Sequence, residues 1–293
     1  MKLVCKELTR SATKLQMNSQ ESQMRILINV SKQLVLTMLG VGLASAAQAQ
    51  DYSAQSPANR VALVELYSSE GCNSCPPADQ WLSRLGAQAR TSQAGPERVV
   101  PLALHVDYWD SLGWKDRFGD HRFTVRQQEL AAFTHSRVVY TPEIFVGGRE
   151  LRQWSATKAF DAAAANITNQ PSPADIAIKL SGTAPRNFDL SAKVKLRQPS
   201  KDSHDAYIAL YENQLVSKVA AGENGGVTLH HDYVVRRWLG PFALKDGMVQ
   251  INEKIALDSI GTDVRADRFG IVAFVQNASS GEVLQVARLA VDH

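Results

Sequence analysis

Two hydrophobic periods divide the chain. Up to residue 168, apolar runs of strand length alternate with stretches at helical spacing. Residues 61–67 are apolar and β-branched, interrupted by Glu65, and such a run suits a strand buried on both faces of a parallel sheet. Residues 78–89 place Trp81, Leu82 and Leu85 at helical spacing, with Asp79 in a first turn whose dipole favours an acid. Gly95-Pro96 breaks the pattern before a second strand over 98–106. A second helix over 121–133 turns Phe123, Leu130 and Phe133 inward. Residues 138–151 read as a strand, a Gly147-Gly148 hairpin turn and a short returning strand. Ser155 is placed to cap a third helix over 156–167, with Ala159, Phe160, Ala163 and Ile167 on one face. The predicted order is β-α-β-α-β-β-α.

Residues 169–173, Asn-Gln-Pro-Ser-Pro, form a linker by composition. Short alternating strands follow, at 174–180, 187–196, 205–212, 227–237, 249–257, 269–276 and 283–291. Seven such segments predict a β-sandwich. The expected fold class is therefore an α/β domain over 61–168 followed by an all-β, sandwich-like domain over 174–293. Residues 50–60 are polar and read as a flexible N-terminus.

The segment before residue 50 changes the reading of charge and compartment. Arg25 and Lys32 precede a short apolar core over 33–44, and Ala47-Gln48-Ala49 fits the small-x-small rule for signal-peptide cleavage. The expected leader is 1–49, cut after Ala49, and the protein is expected in the periplasm or outside the cell. The apolar run is short for a membrane span, so no stable span is expected after cleavage; an uncleaved anchor is the competing reading. The basic region is long, and Met24, or failing that Met17, is the expected start. Of the 32 Lys/Arg and 29 Asp/Glu in the whole chain, residues 1–49 hold six and two, which leaves 26 bases against 27 acids. The formal charge of +3 therefore resides in the leader, and no nucleic-acid partner is implied.

Cysteine content sharpens the chemistry. Cys5 leaves with the leader, so the remaining chain carries only Cys72 and Cys75, in Cys-Asn-Ser-Cys. In an oxidising compartment such a pair has one expected disulfide. A loop this small removes little entropy from the unfolded chain, which favours redox or metal chemistry over stapling. The aromatic and acidic stretch 107–120 leaves the same sheet end as the dithiol, the end where open α/β sheets hold ligands. His105, Asp107, Trp109 and Asp110 are expected near the sulfurs.

A C-x-x-C after strand one, the βαβαββα order and Thr141-Pro142 just before the hairpin together resemble the thioredoxin superfamily in its glutaredoxin-like form. The stretches GCNSCPPAD, HVDYWD and YTPEIFVGG look like a bacterial family of secreted thioredoxin-like proteins of uncharacterised function, over about residues 60–290. The resemblance implies a thioredoxin-like first domain and a cis peptide before Pro142, with Thr141 presenting backbone groups to an extended substrate. It establishes no reaction and implies no cofactor. Two departures stand out. Pro76 follows Cys75 directly and disfavours helical geometry there, so the helix is expected to begin at Pro76 or Pro77. The superfamily's buried acid, six residues before the first cysteine, is Leu66 here, and Glu65 points to the opposite face.

Three functional classes follow. The first is an exported thiol–disulfide oxidoreductase: Cys72 is the exposed attacker, Cys75 resolves, and Thr141, Pro142 and Trp109 bind a protein or small-molecule thiol or disulfide. Asp107 and His105 are candidate acid–base groups, weighed against a solvated loop carboxylate and a satisfied strand-end histidine. The second is a copper-handling protein using both thiolates and a nearby histidine. The third is a binding module with a silent dithiol. His230 and His231 alternate across a strand, cannot both face one metal, and read as sheet surface.

Overall fold

Strand β2, Ala62–Ser68, is buried at every position, and the remaining elements are arranged about it. The computed structural model describes Met24 and residues 51–91, 98–184 and 186–291. Apart from Met24, the expected leader and its cleavage site lie outside the described residues. Among those described, no helix is long and apolar enough to cross a membrane.

β2 pairs in parallel with β3, Val99–His105, from Ala62↔Val99 to Ser68↔His105. On its other side it pairs antiparallel with β4, Glu143–Val146, which turns at Gly147-Gly148 into β5, Arg149–Glu150. The free side of β3 meets β11, Val234–Ala243, at Ala103↔Val234. Beyond β11 the same sheet continues through β8, His204–Glu212, then β13, Phe269–Asn277, then β14, Val283–Ala290. The result is one eight-stranded sheet ordered β14-β13-β8-β11-β3-β2-β4-β5. A second sheet joins β1, Asp51–Gln55, to β6, Ala174–Ala184, β7, Asn187–Leu196, and β12, Met248–Ala256. A hairpin of β9, Leu215–Lys218, and β10, Thr228–His231, stands apart from both.

This arrangement overturns the predicted fold class, an α/β thioredoxin-like domain followed by a β-sandwich. The described residues are mostly β, with 44% strand and 19% helix, and the eight-stranded sheet runs through both predicted halves. The physical reason lies in β8 and β13. Tyr207, Ala209 and Tyr211 of β8 enter the core that holds β2 and the helices, while Ala206, Ile208 and Leu210 enter the core beneath the second sheet. β13 divides Val272 and Phe274 from Ile271, Ala273 and Val275 in the same way. Successive side chains point to opposite faces, so one strand serves two cores. A strand so used has no solvated outer face and cannot belong to a separate sandwich.

The segments expected to be loose are also built in. Residues 51–55, read as flexible, form β1, paired from Asp51↔Ser181 to Gln55↔Ala177. The 169–173 linker is pinned by an Asn59↔Pro171 bridge and a Ser172 N–H donated to the Ala58 carbonyl at 2.9 Å. The predicted strand 227–237 breaks at Tyr233, where φ is +59° and the N–H goes to Asn213 Oδ1 at 2.9 Å. The helices lie close to their predicted positions, as α1, Pro76–Thr91, α2, His121–Phe133, and α3, Thr157–Thr168. Ala156 rather than Ser155 caps α3, without a side-chain bond. Gly86 of α1 lies so close to Tyr233 that a Cβ there would be 2.2 Å from its ring.

Candidate functional site

The dithiol sits where β2 hands over to α1. After Ser68 the chain turns on itself: the Cys72 N–H donates to the Ser69 carbonyl and the Cys75 N–H to the Cys72 carbonyl, each at 3.2 Å. The Cys75 carbonyl accepts from Ala78 and Asp79, so Cys75 caps the helix and Pro76 takes its first position, where a missing N–H costs nothing. Cys72 and Cys75 are joined in a disulfide with Cα atoms 5.5 Å apart. The sulfurs therefore lie just ahead of the helix rather than within its first turn.

Both cysteines are 0% exposed. This corrects the expectation that Cys72 is an exposed attacker. The 219–227 loop between β9 and β10 is bonded to the dithiol turn. Asn224 Nδ2 donates to the Glu70 carbonyl at 2.8 Å and to the Cys72 carbonyl at 3.0 Å, and the Asn73 N–H donates to Glu223 Oε2 at 3.1 Å.

Other residues singled out by sequence divide into two groups. Cys72 Sγ lies 3.3 Å from Ser74 Oγ, which in turn donates to the Thr141 carbonyl at 3.5 Å. That contact brings Thr141, and the cis peptide leading to Pro142, to the dithiol loop. Trp109 packs on Gly71, where a Cβ would come within 3.3 Å of the Trp109 Cβ. Asp107 instead turns to α2, accepting from Thr124 Oγ1 at 2.5 Å and lying 3.0 Å from His121 Nδ1. Burial raises the Asp107 carboxyl, but the Thr124 and His121 contacts outweigh it and hold the group below the usual range. It anchors the start of α2. Asp110 accepts from the Asp116 N–H at 3.1 Å and is pushed up by burial.

His105 belongs to a buried polar cluster that the sequence reading did not assemble. Its Nδ1 lies 2.7 Å from Asp116 Oδ2, with both side chains fully buried. Asp116 also accepts the N–H groups of Glu70 and Phe118 at 2.8 and 2.9 Å. Burial raises the Asp116 carboxyl, and His105 with these N–H donors more than offsets it, leaving the carboxyl below its ordinary range. From β10, His231 places Nε2 3.5 Å from Glu70 Oε1 and Nδ1 3.3 Å from Asp79 Oδ2. Burial acts to lower His231, but Asp79 and Glu70 prevail and lift it to about 10. Glu70 also accepts from Trp114 Nε1 at 2.7 Å. The sheet-surface reading holds for exposed His230 and fails for buried His231. Alternation did require one of the pair to face inward; nothing local said what it would meet there. Asp79, His105 and His231 place ligand-capable atoms within 4.8 Å of one another.

Two further buried acids were not identified as belonging to the site's surroundings. Glu65 pairs with Arg126 of α2 at 2.6 Å, and Arg126 also lies 4.8–5.2 Å from the ring centres of Trp238, Phe274 and Tyr207. Glu143 directly follows Pro142 and accepts from Gln127 Nε2 at 2.6 Å. Burial pushes Glu143 up to about 7.

A family model described as "Protein of unknown function (DUF1223)" matches residues 63–276. Among solved structures, protein AGR_C_4864 from Agrobacterium tumefaciens is similar at 21% identity and TM-score 0.56, over 80% of this chain and 96% of that one. HBP35 of Porphyromonas gingivalis is similar at 16% identity and TM-score 0.57, over 80% of this chain and 76% of that one. At such identities the likeness extends to the fold alone. No curated protein matches.

Proposed function

We propose, for a chain that belongs to the DUF1223 family of proteins of unknown function, that Cys72 and Cys75 are a thiol–disulfide exchange pair in an exported protein. The observation carrying this reading is a disulfide that closes a two-residue loop directly ahead of α1, with the Ser74 hydroxyl 3.3 Å from Cys72 Sγ. So short a loop contributes little as a staple. A thiolate formed there is favoured by the helix N-terminus and the hydroxyl.

In the oxidised form, an incoming substrate thiolate attacks one sulfur of the pair and the other leaves as a thiolate, giving a mixed disulfide. A second substrate thiolate then attacks the substrate sulfur of that mixed disulfide. It releases an oxidised substrate and the reduced dithiol, and two electrons pass to the protein. Thr141 and Pro142, reached through Ser74, are the surface against which an extended thiol or disulfide substrate aligns. The 219–227 loop has to lift for either attack.

The test is insulin reduction, or refolding of a scrambled disulfide protein, with Cys72→Ser as control. Equal rates for variant and wild type end the proposal. A Cys72–Cys75 potential below about −300 mV marks a structural bond and also counts against it. Export is checked by N-terminal sequencing of the mature protein, which should begin at Gln50.

A further inference from the structure

Glu70, Asp79, Asp116, His105 and His231 meet beside the dithiol, and all five are buried. Among the described residues, no Lys or Arg forms an ion pair with any of the three carboxylates; their ionisable partners are the two imidazoles. Even with both rings protonated, one negative charge is left over in a dry interior, where unpaired charge is costly. Ring nitrogens are also left without hydrogen bonds, both of those of His231 among them. His105 Nδ1 is committed to Asp116, and its Nε2 is buried without a hydrogen-bond partner.

We infer that Asp79, His105 and His231 form a binding site for a divalent cation of the zinc type, a site that does not depend on disulfide exchange. Two imidazole nitrogens and one carboxylate oxygen are a donor set suited to zinc. The ring centres of His105 and His231 are 5.1 Å apart. Two imidazoles on one tetrahedral ion, with bonds of about 2.0–2.1 Å, hold their centres about 5 Å apart. His105 supplies Nε2, and His231 supplies Nδ1, the nitrogen turned toward Asp79.

Each ligand also has an outer partner. Asp116 holds His105 Nδ1, Glu70 lies against His231 Nε2, and the Ser68 hydroxyl donates to Asp79 at 3.4 Å. A carboxylate on the second nitrogen of each histidine is the arrangement that fixes ring orientation in metal sites. Phe118 closes over both rings, at 5.4 and 5.9 Å between centres. The cation takes the place of any proton on the ligating ring nitrogens, so binding releases protons, and its two charges offset two of the three carboxylates.

The experiment takes the oxidised protein, stripped of metal by chelator, and titrates it with Zn²⁺ and separately with Co²⁺. One equivalent of Zn²⁺ should bind and raise the thermal midpoint. His105→Gln and His231→Gln should each weaken binding at least 100-fold, and the Cys72→Ser/Cys75→Ser protein should bind as wild type does. Co²⁺ should give visible d–d bands without a thiolate charge-transfer band, a readout on the wild-type protein that needs no variant to fold. No uptake by wild type, unchanged uptake in both histidine variants, loss in the double-serine protein, or a thiolate band overturns the inference. Insulin reduction is read on the same preparations, so failure of the exchange reading is distinguished from failure of this one.

Discussion

Glu143 carries its charge against burial, and the sign of its effect on stability follows from that. Its folded pKa is about 7 against an ordinary 4.5, so between those values the folded state binds the proton that the unfolded chain has released. Stability contributed by this group is present below about pH 4.5 and is lost as pH rises through 7. Glu143→Gln should flatten that decline in urea midpoints measured from pH 4.5 to 8; an unchanged slope assigns the effect elsewhere. Arg126 is the reverse case. Burial works to lower it, the Glu65 carboxylate outweighs this, and the guanidinium stays charged inside an aromatic cage. Arg126→Ala leaves Glu65 buried and unpaired and should cost about 3–5 kcal/mol by denaturant unfolding, whereas Glu65→Leu with Arg126→Met should cost less. These residues show where sequence reading stops. Cys72, Cys75, Thr141-Pro142 and Trp109 announce themselves by local motif and order. Glu70, Asp116, His231 and Glu143 acquire their roles from partners far along the chain, such as the Glu70–His231 contact. Nothing in their neighbours reveals those partners.

The β9–β10 hairpin offers a test of access to the sulfurs. Its loop is held to the dithiol turn by the two hydrogen bonds of Asn224 and by Glu223. Each Asn224 bond contributes about 1 kcal/mol, so Asn224→Ala should make loop opening easier by about 1–2 kcal/mol. Reduction of the disulfide by dithiothreitol, when limited by opening, should then run about 5–30-fold faster. An unchanged rate means that the loop does not gate the site. The start of α1 was legible because Pro76 and Pro77 leave few other places for a helix to begin after Cys75. The loop bonded to the dithiol turn was not. Residues 219–227 hold three glycines and one asparagine and read as an ordinary turn, and β9 is four residues long with an unremarkable alternation. Only its packing against Glu70 and Cys72 distinguishes it.

The change of hydrophobic period at residue 170 marks a change of strand type, not the edge of an independently folding unit. Up to that point the chain builds β2, β3 and three helices, and it leaves one side of β3 unpaired. That side is completed by β11, where the Ala103 N–H donates to the Tyr233 carbonyl at 2.8 Å. The same core takes Tyr207, Trp238, Val272 and Phe274 from beyond the boundary. Arg126 reaches across to Gln276, and Val61 donates its N–H to Gln285 Oε1 at 2.9 Å. In sequence these dependencies were hidden because β8 and β13 look like ordinary strands; their apolar residues on both faces, as in FGIVAFV, were the sign that two cores claim them. A fragment of residues 50–168 keeps the dithiol, Pro142 and helices α1, α2 and α3, yet exposes the β3 edge and the apolar face that β8 and β13 cover. It should show no near-ultraviolet circular dichroism and should aggregate through that open edge. Residues 49–293 form one compact unit and should unfold in a single transition seen alike by tryptophan fluorescence and far-ultraviolet dichroism. Two separated transitions, or a soluble 50–168 fragment with native dichroism, would restore the two-domain picture. In that case the cover over Cys72 would be an appended module, and not part of the sheet that holds the site.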